Sequence, residues 1–138
     1  ERRDLTVSLE STRSDFEVAL IAALREVFRP TRHRGCHFHF GQAVWRNAQS
    51  CGLSTLYREN RNVRVFIRKT VSLAFLPISF VRVAWEALKA TAPQLPEVAA
   101  FEGYFETTWM RGPYPLATWS QHGNRGPRTN NATESWHK

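Results

Sequence analysis

Apolar and polar residues alternate in two short parts of the chain. Residues 5 to 9 read Leu-Thr-Val-Ser-Leu, and residues 35 to 40 read Gly-Cys-His-Phe-His-Phe. Because successive side chains of a strand point to opposite faces, each alternation predicts a short strand with one apolar face. A Ser-x-x-Glu capping box at 14–17, followed by apolar residues at helical spacing up to residue 28, predicts a helix between the two strands.

From Gly41 onward the apolar spacing is mostly helical. It predicts one helix directly after this glycine and a second segment, over 57–73, whose β-branched residues would also suit a strand. Pro77 opens a third helix, in which apolar residues recur at i, i+3, i+7 and i+10. The aromatic residues over 101–119 are interpreted as core and not as base-stacking surfaces, since nothing in the sequence places them in a groove.

Composition and charge narrow the class of protein. The 138 residues carry a formal net charge of +7, which favours a polyanionic partner such as nucleic acid, although basic domains without such a partner are common. No apolar stretch is long enough to span a bilayer, so no membrane partner and a soluble intracellular protein are expected. Two cysteines are too few for a disulfide framework, and reduced thiols are the simpler interpretation.

Two carboxylates stand at predicted helix starts. Asp15 follows a predicted strand, and Glu134 comes three residues after Asn131, which has the character of an N-cap. Acidic residues are common in any first helical turn because they complement the helix dipole. Neither residue indicates a metal site by itself.

Several longer strings of the sequence occur in an order that resembles the Mutator-like (MULE-type) transposases. The resemblance covers nearly all of the chain, and its most specific parts are a Cys-x-x-His block with a following Gln-x-x-Trp-Arg and an Arg-Thr-Asn-Asn-x-x-Glu-x-Trp-His terminus. The strings are Ser-Asp-Phe-Glu at 14–17, Gly-Cys-His-Phe-His-Phe-Gly-Gln-Ala-Val-Trp-Arg at 35–46, Ala-Phe-Leu-Pro at 74–77 and Pro-Arg-Thr-Asn-Asn-Ala-Thr-Glu-Ser-Trp-His at 127–137.

The resemblance implies an α/β fold, a partial RNase H-like core interrupted by a mostly helical insertion. Residues 1–40 would be the second half of the core, 41–128 the helical insertion and a loop, and 129–138 the start of the final catalytic helix. Asp15 and Glu134 would then be the second and third acidic residues of a three-carboxylate site. Carboxylates of this kind hold two Mg²⁺ or Mn²⁺ ions, which activate the attacking oxygen and stabilise the leaving oxygen in DNA cleavage and strand transfer.

The sequence also departs from the family. The first acidic residue belongs to an earlier strand, residues 1 to 9 contain nothing comparable, and Asp4 is in the wrong place. We therefore expect this chain alone to be inactive. Activity would belong to a complete, nuclear protein that self-associates in a transposition complex. The alternatives are a transposase-derived, catalytically inactive module for DNA or protein binding, and a different nuclease or helical zinc module.

Cys36 and His39 form the Cys-x-x-His element. A zinc site would need two more ligands, from among His37, Cys51, His122 and His137. On a regular strand the first two residues point to opposite faces, and they converge only if the chain becomes helical between them. Structural packing is the favoured interpretation and zinc the alternative.

Basic residues recur at helical spacing over 57–73 and would line one face of a helix. A solvated charged face is the default interpretation, and contact with DNA phosphates is the alternative. A second basic group near Glu134 is a further candidate for the DNA backbone. The candidate DNA-binding residues are Arg58, Arg61, Arg64, Arg68 and Lys69 in the first group and Arg125 and Arg128, with Lys138 beside them, in the second.

Overall fold

Helices make up most of the part of the chain that the computed structural model describes, which is residues 11–14, 16–27 and 32–124. None of the helices in these ranges is long and apolar enough to cross a membrane. In chain order the elements are β1 (Ser11–Ser14), α1 (Val18–Val27), β2 (Arg32–Gly35), α2 (His37–Ser50), α3 (Ser54–Glu59), α4 (Arg61–Ser72), a 3-10 turn (Leu73–Phe75), α5 (Ile78–Ala90), α6 (Pro96–Phe105), a π-helical turn (Glu106–Met110) and α7 (Leu116–Trp119).

The expected α/β fold with an RNase H-like core is contradicted by this architecture. In the described ranges the only sheet consists of two parallel four-residue strands, with Ser11 opposite Arg32 and Ser14 opposite Gly35. The hydrophobic core lies instead among the helices from α2 onward. The predicted strand at 5–9 lies outside the described residues.

The strand predicted over 35–40 is also wrong, because α2 begins at His37. Cys36, Phe40, Val44 and Ala48 are all fully buried and recur every four residues, whereas Phe38 is 47% exposed. The buried positions therefore follow the period of a helix, and the alternation that predicted a strand does not correspond to burial.

The ambiguous segment over 57–73 is helical for most of its length. Four residues of α4 face the core, and the buried Thr70 hydroxyl donates to the Phe66 carbonyl at 2.9 Å, so that its polar group is satisfied within the helix. The helix predicted after Pro77 is confirmed as α5, which buries Val81 and Trp85.

A Schellman turn links α2 to α3. The Gly52 amide donates to the Gln49 carbonyl and the Leu53 amide to the Ala48 carbonyl, each at 3.0 Å, which satisfies the last carbonyls of α2. Gly52 has a φ of +84°, a left-handed conformation that costs a residue with a Cβ energy. Leu53 is fully buried beyond the turn and fixes the direction in which α3 leaves.

Aromatic rings form the centre of the core, as predicted for the 101–119 segment. Phe40 stacks on Trp119 with ring centroids 4.9 Å apart, and Trp109 meets the Phe40 ring edge-on at 4.8 Å. The buried Trp119 indole donates to the Trp109 carbonyl at 3.1 Å. This packing joins the beginning of α2 to the π-helical turn and to α7.

The strand region is attached to the helices through Phe16. Its ring lies edge-on to Trp109 at 4.9 Å and to Tyr114 at 5.3 Å, and the Tyr114 hydroxyl donates to the Phe16 carbonyl at 2.7 Å. Gly35 at the end of β2 leaves room for this ring, because a Cβ there would lie 2.1 Å from its nearest atom. Gln121 adds a second link, since its side-chain amide donates to the Gly35 carbonyl at 3.2 Å.

Glu106 is the centre of a partly buried ionic network at the start of the π-helical turn. It accepts a hydrogen bond from the Trp85 indole and pairs with Lys89 at 3.5 Å and Arg111 at 3.1 Å. Burial raises the pKa of this carboxyl group, but the Trp85 hydrogen bond and the two cations outweigh burial, so that its pKa lies below the ordinary 4.5.

Replacing Phe40 by alanine should destabilise the fold by about 3–5 kcal/mol, because it removes the ring that both tryptophans contact. Phe80→Ala is the matched control. Phe80 is 60% exposed, so its loss should change the free energy of unfolding by less than about 1 kcal/mol. Urea unfolding of both variants measures the difference, and equal effects would contradict the proposed centre of the core.

Glu106 should make stability depend on acid pH. A carboxyl group whose pKa is depressed on folding contributes stability that is fully present above pH 4.5 and is lost as pH falls through its folded-state pKa. Glu106→Gln should therefore flatten the loss of stability that occurs as pH falls below 4.5.

Glu102→Gln is the control for this pH dependence. Burial raises the pKa of Glu102 despite the charge of Lys89, so this group contributes with the opposite sign. Urea unfolding across the pH range should show the flattening in the Glu106 variant alone. If the free energy of unfolding of the Glu106 variant depended on pH as it does in the unaltered chain, the ionic network around Glu106 would not cause the loss of stability in acid.

Candidate nucleic-acid interface

The corner between α3 and α4 is built around Asn60. Its amide donates to the Leu56 carbonyl at 2.7 Å and ends α3, while its side-chain oxygen accepts from the Asn62 and Val63 amides at 2.9 and 3.2 Å and caps α4. These bonds occupy most of the amides that a helix N-terminus offers to an anion. Anion binding at this corner would therefore depend on side chains.

Arg64 of α4 also joins the two helices at this corner. One guanidinium nitrogen of Arg64 donates to the carbonyls of Tyr57 and Arg58, both at 3.1 Å. These carbonyls belong to the last turn of α3, where a cation is favourable because the helix dipole is negative there. Arg64 thus has a structural role in addition to its charge.

Arg68 is held one turn further along α4. Its Nε donates to the Tyr57 hydroxyl oxygen at 3.0 Å, and its guanidinium carbon lies 5.9 Å from the centre of the Tyr57 ring. The Tyr57 ring in turn packs against Trp45 of α2, with centroids 4.7 Å apart. The aromatic pair therefore fixes the position of this arginine.

Arg58 and Arg61 are exposed on either side of Asn60. Arg61 stands in the first turn of α4, which contains no acidic residue. A cation at a helix N-terminus opposes the helix dipole and is mildly destabilising. The folding of α4 therefore does not explain why an arginine is there.

We call Arg58, Arg61, Arg64 and Arg68 the basic edge. Within the described ranges, no carboxylate lies within 4 Å of a basic-edge nitrogen, whereas Lys89 and Arg111 elsewhere pair with Glu106. Positive charge that is not neutralised by neighbouring carboxylates is available to a polyanion.

Lys69 lies outside the basic edge, although it stands next to Arg68 in the sequence. A helix turns by about 100° per residue, so Lys69 points away from the neighbouring Arg68. It lines a groove of about 450 Å³ between α4 and α5, together with Leu73 and Leu88. Lys69 therefore lies on a different side of α4 from Arg61, Arg64 and Arg68.

Cys36 and His39 lie at the start of α2, where the chain becomes helical between them. Cys36 is fully buried and His39 is partly buried. Within the ranges that the structure describes, no three His, Cys, Asp or Glu side chains are grouped so that they could hold a metal ion. Cys51, a further candidate zinc ligand, donates to Asn47 at 3.4 Å, and burial raises its pKa.

The candidate catalytic residues Asp15 and Glu134 lie outside the described residues, and so do Arg125, Arg128 and His137. Asp15 follows β1 directly in the sequence.

Sequence reasoning missed Tyr57, Asn60 and Trp45. Asn60 had a detectable signal, because an asparagine directly before a helical segment is a common N-cap. Tyr57 and Trp45 had none, since their contact joins two helices and depends on the turn at Gly52.

Comparisons of the chain with protein-family models, with curated proteins and with solved structures found no match. The similarity to Mutator-like transposases therefore rests on the sequence strings alone.

Arg64→Gln should destabilise the fold by about 1 kcal/mol, since it removes both bonds to the last turn of α3. Arg61→Gln is the control, because it removes the same charge without breaking a side-chain hydrogen bond among the described residues. Its effect should stay within about 0.5 kcal/mol. Thermal or urea unfolding compares the two, and equal stabilities would refute the role of Arg64 at the corner.

Proposed function

We propose that this chain is a DNA-binding part of a Mutator-like transposase and that the basic edge contacts the DNA backbone. The observation that carries the proposal is the row of four arginines at the α3–α4 corner without a carboxylate partner in the described ranges. Phosphate neutralisation by such residues supplies most sequence-independent affinity for DNA.

Geometry and sequence support the proposal in different ways. The side chains of Arg64 and Arg68 are already held by hydrogen bonds, so less side-chain freedom is lost when they bind a phosphate. The net charge of +7 adds a favourable long-range attraction. The ordered strings that resemble the transposases make DNA the favoured polyanion and the nucleus the favoured location.

Arg58→Gln/Arg61→Gln tests the DNA contact without disturbing the corner. Neither side chain makes a hydrogen bond or ion pair in the described ranges, so the fold should remain intact. Removing two phosphate contacts should make the negative slope of log K against log salt less steep by about two. DNA binding at 0.15 M salt should weaken roughly 10- to 30-fold. Fluorescence anisotropy with a short mixed-sequence duplex measures both quantities.

Lys69→Gln/Arg111→Gln is the matched control, because it removes two positive charges away from the basic edge. It should leave the salt slope nearly unchanged. If both double variants lost the same DNA affinity, the loss would come from net charge and not from contacts of the basic edge. The absence of any DNA binding by the unaltered chain would overturn the proposal.

For the complete protein we propose metal-dependent cleavage and joining of DNA, with Asp15 and Glu134 as carboxylate ligands of Mg²⁺ or Mn²⁺. Replacing either residue by alanine in the complete protein should abolish nicking of a DNA substrate in Mg²⁺. Normal nicking by either variant would defeat this part of the proposal. DNA binding that survives EDTA, with no nicking by the longest natural gene product, would favour an inactive binding module.

A further inference from the structure

We propose that Tyr57 and Arg68 together form a seat for one backbone phosphate of duplex DNA, in which both side chains donate to the same phosphate group. The inference rests on the proposed function and specifies how the basic edge holds its ligand. It assigns a direct contact to Tyr57, a residue without charge.

The hydrogen bond between the two residues leaves donors available. Arg68 uses its Nε to donate to the Tyr57 hydroxyl oxygen, and both terminal nitrogens of the guanidinium keep their hydrogens. The Tyr57 oxygen acts as an acceptor in this bond, so its own proton is left to be donated. Within the described ranges no acceptor takes that proton.

The seat is held rigidly before the ligand arrives. Trp45 packs against the Tyr57 ring, the Tyr57 carbonyl accepts from Arg64, and the Arg68 guanidinium carbon lies over the ring, 5.9 Å from its centre. A pre-ordered arginine loses less rotamer freedom on binding than a free one. The arrangement therefore offers fixed N–H and O–H donors instead of a mobile charge.

The rest of the basic edge favours a phosphate over a carboxylate. A carboxylate has about four acceptor sites, so the donors of Arg68 and Tyr57 by themselves fit a carboxylate as well as a phosphodiester, whose two non-bridging oxygens share one negative charge. Every backbone unit of duplex DNA carries such a charge, so neighbouring phosphates would meet Arg58 and Arg61 at the same corner. Isolated acidic side chains would use fewer of these arginines.

The ring contacts favour backbone contact over base stacking. Tyr57 is partly buried, with Trp45 packed against it and Arg68 lying over it, so it does not offer a free face to an unstacked base. Arg58 and Arg61 extend the donors along the same corner. The seat should hold duplex DNA without regard to its sequence.

Three variants test the seat with the duplex described above. Tyr57→Phe keeps the ring against Trp45 and the net charge, so affinity should fall about five- to tenfold while the salt slope stays almost unchanged. Arg68→Lys should behave in the same way, because it keeps the charge but loses the fork. Arg68→Gln should lower the affinity for DNA, and it should make the salt slope less steep by about 0.9.

The combined variant Tyr57→Phe/Arg68→Gln should bind about as well as Arg68→Gln alone, since both residues serve one phosphate. Tyr114→Phe is the matched control, because it also removes a single tyrosine hydroxyl, one that donates to the Phe16 carbonyl. Its DNA affinity should equal that of the unaltered chain. Circular dichroism and urea unfolding show that each variant is folded at the assay temperature.

The seat would be overturned if Tyr57→Phe bound the duplex as tightly as the unaltered chain does, or if the losses of affinity added up in the combined variant. If Arg58→Gln/Arg61→Gln still made the salt slope less steep, the proposed function would stand without the seat. Equal competition by polyglutamate of the same charge would overturn the assignment to phosphate. No duplex binding by the unaltered chain would overturn both proposals.

Discussion

The packing of Phe40 between Trp109 and Trp119 is the interaction on which the described structure depends most. It joins position 40 to positions 109 and 119, so two parts of the chain that are remote in sequence meet at one ring. The orientation of α2 follows, because Val44 and Ala48 must lie on the same buried face as Phe40. The turn at Gly52 then sets the direction of α3 and α4 relative to α2. The hydrophobic core therefore determines where the basic edge lies, although none of the four arginines belongs to that core.

The helices with strong periodicity could be predicted from the sequence, and the weakly patterned ones could not. Pro77 and the buried Val81 and Trp85 defined α5, because a proline start and a regular apolar face agree. Residues 35–40 fit an alternating pattern and a four-residue repeat equally well. Burial of Phe40 against two distant tryptophans decided between these patterns, and such long-range information is absent from a local window.

The expected α/β core depended on the resemblance, and the described residues do not form it. The candidate site could be predicted in part, since the arginine spacing over 58–68 identified the basic edge. Lys69 stands next to Arg68 in the sequence but lines the groove between α4 and α5, because adjacent residues of a helix point about 100° apart. The aromatic support of Arg68 could not be foreseen, since Trp45 and Tyr57 belong to two helices and meet only through the turn at Gly52.

Arg64 contributes both to the stability of the α3–α4 corner and to the positive charge of the surface, two properties that usually vary independently. Its guanidinium closes the α3–α4 corner through two carbonyls, while its charge contributes to the basic edge. A glutamine at this position would remove the charge and weaken the attachment of the two carbonyls at the same time. Sequence divergence should therefore be slower here than at the exposed Arg58 and Arg61, where the charge can move to a neighbouring position without loosening the corner.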